Sequence, residues 1–236
     1  MIDCSKKKIT RILSLGICTF SLITFGQENL PNNEKFKNVV LILSDDHRYD
    51  FLGFHQDSPD FLETPNFDRM FYKGAHMENA FVTTSLCSPS RATILTGQYM
   101  HHHKVVDNQR AIPNNTRFFS EYLQEEGILT AYIGKWHMGH DNDEPRKGFD
   151  HWASFKGQGV YFDPVFNING NKRKFDGYNA DVTTGLALDY LKQVGEKRFF
   201  LQIGYRAQWL PHGTSVMEGG LRPSYRLRRL TGGYTP

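Results

Sequence analysis

NVVLILSDDH, residues 38–47, decides the fold. Residues 38–43 form a continuous apolar, β-branched run, the mark of a parallel strand covered on both faces. Ser44, Asp45, Asp46 and His47 follow at once, where the chain leaves the carboxyl end of that strand. In parallel α/β sheets ligands gather at that end, so a strand and a candidate site are read from one stretch.

The same alternation continues outward. TPNFDRMFYKG, 64–74, reads as a helix with Thr64 before Pro65 at its start and Gly74 at its end. In TTSLCSPSRATILTG, 83–97, Ser88 suits an N-cap, Pro89 a first helical position and Gly97 a helix end. A helix over about 117–126 ends at Gly127, the strand ILTAYI (128–133) leads into GKWHMGH, a helix covers 183–193 and a buried strand 198–205. Strands alternating with helices predict an α/β fold, a mostly parallel sheet sandwiched by helices.

Composition bounds the partners. The chain has 236 residues, 39% apolar and 22% charged, enough for one domain with a real core. Lys6, Lys7, Lys8 and Arg11 precede an apolar run that stops at Gly26, the pattern of a cleaved export signal over 1–26. Its removal takes four of the 28 basic residues and one of the 25 acidic ones, bringing the formal charge from +3 to zero. A nucleic-acid partner loses its electrostatic support, and no stable membrane insertion is expected after signal removal. Residues 27–37 read as a polar linker. The expected location is exported, periplasmic or secreted in a bacterium.

Cys4 and Cys18 leave with the signal, so Cys87 is the one thiol of the mature chain and no internal disulfide can form. A helix starting behind it would aim free N–H groups and a positive dipole end at residue 87, with Arg91 adding fixed charge. The plain alternative is a buried structural cysteine. A thiolate nucleophile with His137 as base is a third reading. Asp45 and Asp46 repel each other unless a cation offsets them, and hard oxygen ligands favour Ca²⁺ or Mg²⁺ over zinc. Lys135 and His137 follow the strand 128–133 and, two apart in extended chain, would face one cleft as an anion binder and a proton donor. His101, His102 and His103 hint at zinc, but consecutive residues cannot all point at one ion.

Taken whole, the pattern resembles the sulfatase family. Cys87-Ser-Pro-Ser-Arg91 followed by Ala-Thr-Ile-Leu-Thr-Gly97 fits its C-x-P-S-R-x-x-x-x-T-G signature. SDDHR and GKWHMG also fall in the family's order, and FLETPN and DEPRKGFDHW look most like bacterial carbohydrate sulfatases of the N-acetylglucosamine-6-sulfatase or mucin-desulfating type. The similarity runs from about 38 to 207. It implies an alkaline-phosphatase-like fold and oxidation of Cys87 to formylglycine by a maturase that reads the signature. It implies a hydrated aldehyde whose one hydroxyl attacks sulfur while the other lets sulfate leave. By position, Asp45, Asp46 and the hydrate at 87 would hold Ca²⁺, Arg91 would stabilise the hydrate, Lys135 would bind sulfate and His137 would orient the nucleophile or move its protons. The substrate class implied is a sulfated glycan.

The family pattern then breaks. Gln208 and Trp209 follow Arg206-Ala207 where the family has a histidine, and residues 208–236 contain neither Asp nor Asn, with four Arg and one Glu. We expect an amino-terminal part of a sulfatase catalytic domain over 38–207, incomplete at its carboxyl end, and a divergent tail over 208–236. The tail is read as a frameshift or truncated reading frame, with a short paralogue carrying a specialised tail as the alternative. A phosphonate or phosphodiester hydrolase with the same signature, and an inactive fragment, are the competing functions.

Overall fold

The computed structural model describes residues 38–139 and 141–206. The expected signal, linker and tail lie outside them. Six strands form one sheet: β1 (Asn38–Leu43), β2 (Leu129–Lys135), β3 (His151–Phe155), β4 (Val165–Ile168), β5 (Asn171–Lys174) and β6 (Phe199–Gly204). Their spatial order is β1-β6-β2-β3-β4-β5. The first four in that order are mutually parallel, and β4 and β5 complete the sheet antiparallel. The mostly parallel α/β sheet read from the sequence is thus present.

The helices are α1 (Pro65–Lys73), α2 (Cys87–Thr96), α3 (Met100–His103), α4 (Phe119–Glu125) and α5 (Asn179–Val194). Side chains alternate across a strand, and here the alternation separates two cores. Tyr132, Trp152 and Phe200 pack with Ala92 and Leu95 of α2, while Ala131, Ile133, Leu201 and Ile203 pack with Ala187, Tyr190 and Val194 of α5. β2 and β6 lie between the layers, so β6 is buried along its whole length. That is why the two central strands read as apolar runs.

Two expectations need correction, and one part of the sheet was not expected at all. NVVLIL does form a parallel strand, but among the described residues β1 is an edge paired only with β6, and Val39, Val40 and Ile42 are 53%, 44% and 54% exposed. An apolar run reports what a strand can bury, not whether a neighbour covers it. Helix α2 begins two residues earlier than Pro89, with Leu86 as its extended N-cap and Cys87 as its first residue. Pro89 is tolerated as the third residue because the first N–H groups of a helix have no intrahelical acceptor, and the first such bond runs from Ser90 N–H to Leu86 O at 3.0 Å. The hydroxyl of Ser88, expected as cap, donates instead to the His137 carbonyl. Finally, β3 and the β4–β5 hairpin were not anticipated. The hairpin turns on Asn169 and Gly170 with φ of 50° and 92°, the left-handed pair that an Asn-Gly two-residue turn requires.

Candidate active site

The sheet brings the sequence candidates together at one end. Asp45 and Asp46 lie just past β1, Lys135 ends β2, and Cys87 opens α2 against the same rim. A cleft of about 620 Å³ there is lined by Asp45, Asp46, Cys87, Arg91, Asn108 and Gln158, among others. Lys135 and His137 are fully buried and are not among the lining residues.

Asp45 is the hub. Its Oδ2 accepts from Lys135 Nζ, and its Oδ1 lies 3.4 Å from Arg91 Nη2. Burial alone would raise its pKa, but Lys135 and Arg91 outweigh that and hold the carboxyl below its usual range. Lys135 Nζ also lies 3.6 Å from Cys87 Sγ and donates to Gln158 Oε1. One buried ammonium therefore bridges the carboxylate, the cysteine and a residue that the sequence did not single out.

Arg91 is only 1% exposed, and a buried guanidinium is costly unless partnered. It donates to the Lys135 carbonyl at 2.7 Å and reaches the Tyr132 hydroxyl at 3.4 Å, besides its pairing with Asp45. Tyr132 in turn donates to the same carbonyl. These contacts fix α2 against the carboxyl end of β2 and so fix Cys87 over the cleft.

Cys87 is held as a thiol. Burial pushes its pKa up, Lys135 opposes this, and the Asp45 and Asp46 carboxylates add to the rise. A cysteine with a raised pKa presents little thiolate at neutral pH, which disfavours the plain thiolate nucleophile among the sequence readings. The N–H of Ser88 in the helix's first turn donates to Asn108 Oδ1 at 3.0 Å, so one free helix amide is engaged by a second residue the sequence did not flag.

His137 departs from the extended geometry used to place it. Its φ is 52°, so it does not share a strand side with Lys135, and its carbonyl is what accepts the Ser88 hydroxyl. The three consecutive histidines do not all face one point, although the His101 and His102 rings lie 4.2 Å apart. His103 is buried, with Nδ1 accepting the Val105 N–H at 3.1 Å, and His101 and His102 are exposed.

One group among the described residues has the donors for a cation. Ligand atoms of Asp45, Asp46 and Cys87 lie within 4.8 Å of one another. Asp46 is exposed, with φ of 49°, a left-handed conformation that Asp tolerates better than most residues. Two hard carboxylate oxygens beside an open cleft fit a divalent ion.

The family follows from comparison with known proteins. The sulfatase family model matches residues 37–213, three quarters of the chain. This chain belongs to the sulfatase family. An N-acetylglucosamine-6-O-sulfatase of Bacteroides thetaiotaomicron is 32% identical over 190 residues, covering 77% of this chain and 33% of the relative. A ulvan-active sulfatase of Formosa agariphila is 31% identical over 229 residues, 89% of this chain and 44% of the relative. A structure solved with its substrate D-glucosamine-2-N,6-O-disulfate superposes with a TM-score of 0.68 at 32% identity, over 75% of this chain and 36% of that one. The chain thus spans about a third of the length of the first curated relatives it matches. Relatives also include extracellular sulfatases of Caenorhabditis elegans and Drosophila melanogaster. No helix among the described residues is long and apolar enough to cross a membrane.

Proposed function

We propose that this sulfatase hydrolyses sulfate esters of carbohydrates in the Cys87 cleft. The observation that carries the reading is the convergence of Asp45, Cys87, Arg91 and Lys135 in one hydrogen-bonded cluster, with Cys87 inside the family signature. When a maturase oxidises Cys87 to formylglycine, the aldehyde hydrate supplies a nucleophilic hydroxyl and a second hydroxyl for release of sulfate. Asp45 and Asp46 would hold a divalent ion, Ca²⁺ in our reading, which supplies Lewis acidity beside residue 87.

The remaining roles belong to the chain itself. Lys135, buried behind the cleft lining, holds its ammonium 3.6 Å from Cys87 Sγ and is assigned to sulfate by family position. Arg91 orients Asp45 and adds fixed positive charge below the nucleophile. His137 is assigned to orienting the nucleophile or moving its protons, by family position. Sulfated glycan is the substrate class, supported by the carbohydrate sulfatases among the relatives, and export fits such a substrate.

The test begins with protein co-produced with a formylglycine-generating maturase. Mass spectrometry of the residue 87 peptide should show the thiol replaced by an aldehyde or its hydrate. That protein should release sulfate from 6-O-sulfated N-acetylglucosamine or an aryl sulfate, and Cys87→Ala should not. Turnover of a phosphate diester but of neither sulfate ester would overturn the reading in favour of a phosphodiesterase.

A further inference from the structure

Helix α2 joins two concavities. Cys87 at its start lines the catalytic cleft, and Thr96 at its end lines a separate groove of about 450 Å³. At 1.5 Å per residue these two positions are about 14 Å apart along the helix. The groove shares Pro113 and Thr116 with a smaller hollow of about 200 Å³.

The charged residues that line this surface are all basic. Lys104 and Arg117 line the groove, Arg146 and Lys147 line the hollow, and no Asp or Glu lines either. Lys104 and Lys147 are exposed and have no ion-pair partner among the described residues. Arg146 is half-buried over the Trp136 ring, 5.6 Å from its centroid, and its Nε is buried with no hydrogen-bond partner among the described residues. Nearby Glu144 forms no ion pair with it among the described residues. Arg117 is already ion-paired with Glu125, whereas Lys104, Arg146 and Lys147 have no ion-pair partner among the described residues, and an anion from solvent would compensate their charge.

The remaining lining narrows the anion. Gln98, Asn115 and Thr116 offer amides and a hydroxyl, the partners that sugar hydroxyls take. A single-stranded nucleic acid needs open aromatic faces for its bases, but of the exposed lining rings Tyr122 is covered by the Arg117 guanidinium at 3.7 Å and His102 lies against His101 at 4.2 Å. We propose that this groove is a second binding site for a sulfated glycan chain, with Lys104, Arg146 and Lys147 on sulfates and Gln98 and Asn115 on hydroxyls. The proposal rests on the carbohydrate reading of the cleft. It adds that a polymer is held at two places along α2, so that tethering at the groove raises the local concentration of its sulfate esters at Cys87.

The experiment is binding of the full chain to dextran sulfate, neutral dextran and a single-stranded oligothymidylate of matched charge, by affinity electrophoresis and calorimetry. Dextran sulfate should bind and dextran should not. The Lys104→Glu/Lys147→Glu double variant should bind dextran sulfate at least about tenfold more weakly, as expected for reversing two exposed charges. Its hydrolysis of a small aryl sulfate should be unchanged. If the reversal lowers the melting temperature, Lys104→Gln/Lys147→Gln must weaken binding in the same direction. Dextran sulfate affinity unaltered in the variants, or equal retention of oligothymidylate by the parent chain, would overturn the groove. Absence of aryl sulfate turnover in the parent chain counts against the function of the cleft alone, since binding at the groove is read separately.

Discussion

Gly204 makes the space that the Arg91 guanidinium occupies. A methyl group at position 204 would lie 2.9 Å from Arg91 Nη1 and 2.7 Å from the Lys135 carbonyl oxygen. Gly204 pairs with Gly134 across β6 and β2, and a methyl group at 134 would lie 2.0 Å from the Gly204 oxygen. Two facing glycines thus leave the sheet end open, and a buried arginine from α2 fills it.

Gly204→Ala should therefore disturb the cluster without touching a charged side chain. The Lys135 carbonyl is backbone and has little room to retreat, so Arg91 must move and its contacts with Asp45 and Lys135 lengthen. Overpacking of this kind costs about 1–3 kcal/mol. We expect a melting temperature lower by several degrees and a loss of sulfate-ester hydrolysis larger than the stability change explains. A variant that melts with the parent chain and turns over at its rate would show that the glycine pair is not needed.

Asp46→Asn separates the metal from the fold. Asp45 is already engaged by two cations, whereas Asp46 is exposed and projects its charge into the donor group. Removing that charge should weaken Ca²⁺ binding, measured by calorimetry, at least about tenfold, because hard cations follow ligand charge. In metal-free buffer the melting temperature should hold or rise slightly, since two nearby carboxylates no longer repel. Equal Ca²⁺ affinity in the variant would remove Asp46 from the ligand set.

These relationships were only partly legible in the sequence. Apolar runs at 38–43, 128–133 and 198–205 marked three strands within a residue or two, and for β2 and β6 the reason is burial within the sheet. Residue types just past those strands pointed to Asp45, Lys135 and the Cys87 helix. Coverage could not be read: nothing in NVVLIL says that β6 lies on one side and no described strand on the other. Asn169-Gly170 was a visible turn signal between two short runs, and its hairpin was there to be found. Gln158 was not. It reaches Lys135 from the loop after β3, 23 residues away, and no local pattern distinguishes such a glutamine from a solvated one.

Gln158→Ala tests that contact as a positioning device. Gln158 is exposed, its side-chain oxygen accepts from Lys135, and its backbone carbonyl accepts Arg206 Nε at 2.9 Å. The loop should keep its shape, because the backbone contact survives truncation. Hydrogen bonds to charged groups contribute about 1.5–3 kcal/mol, so kcat/KM for a sulfate ester should fall about tenfold or more. The melting temperature should fall by several degrees at most, and the loss of kcat/KM should persist well below melting, where the variant is fully folded. Gln158→Glu keeps an acceptor but adds negative charge facing an anionic substrate, and its KM should rise above that of the alanine variant. If both variants keep the parent's KM and kcat, Gln158 does not position Lys135 for substrate.

Tyr190 gives the fold a distinct alkaline limit. It lies on α5, 7% exposed, and its hydroxyl is buried with no hydrogen-bond partner among the described residues. Burial pushes its pKa up to about 12, and the Asp150 carboxylate adds to the rise. A phenol whose pKa is higher folded than unfolded favours the folded state fully below the unfolded value, near 10. That contribution is lost as pH climbs through the folded value, so the window lies between about 10 and 12 and amounts to at most about 2–3 kcal/mol. Tyr190→Phe removes the ionisation together with an unpaired buried hydroxyl. At pH 8 the variant should be as stable as the parent or up to about 1 kcal/mol more stable. Urea unfolding followed from pH 9 to 12 should show the parent losing stability faster than the variant. Parallel curves across that range would mean that the Tyr190 hydroxyl reaches water or a partner in solution.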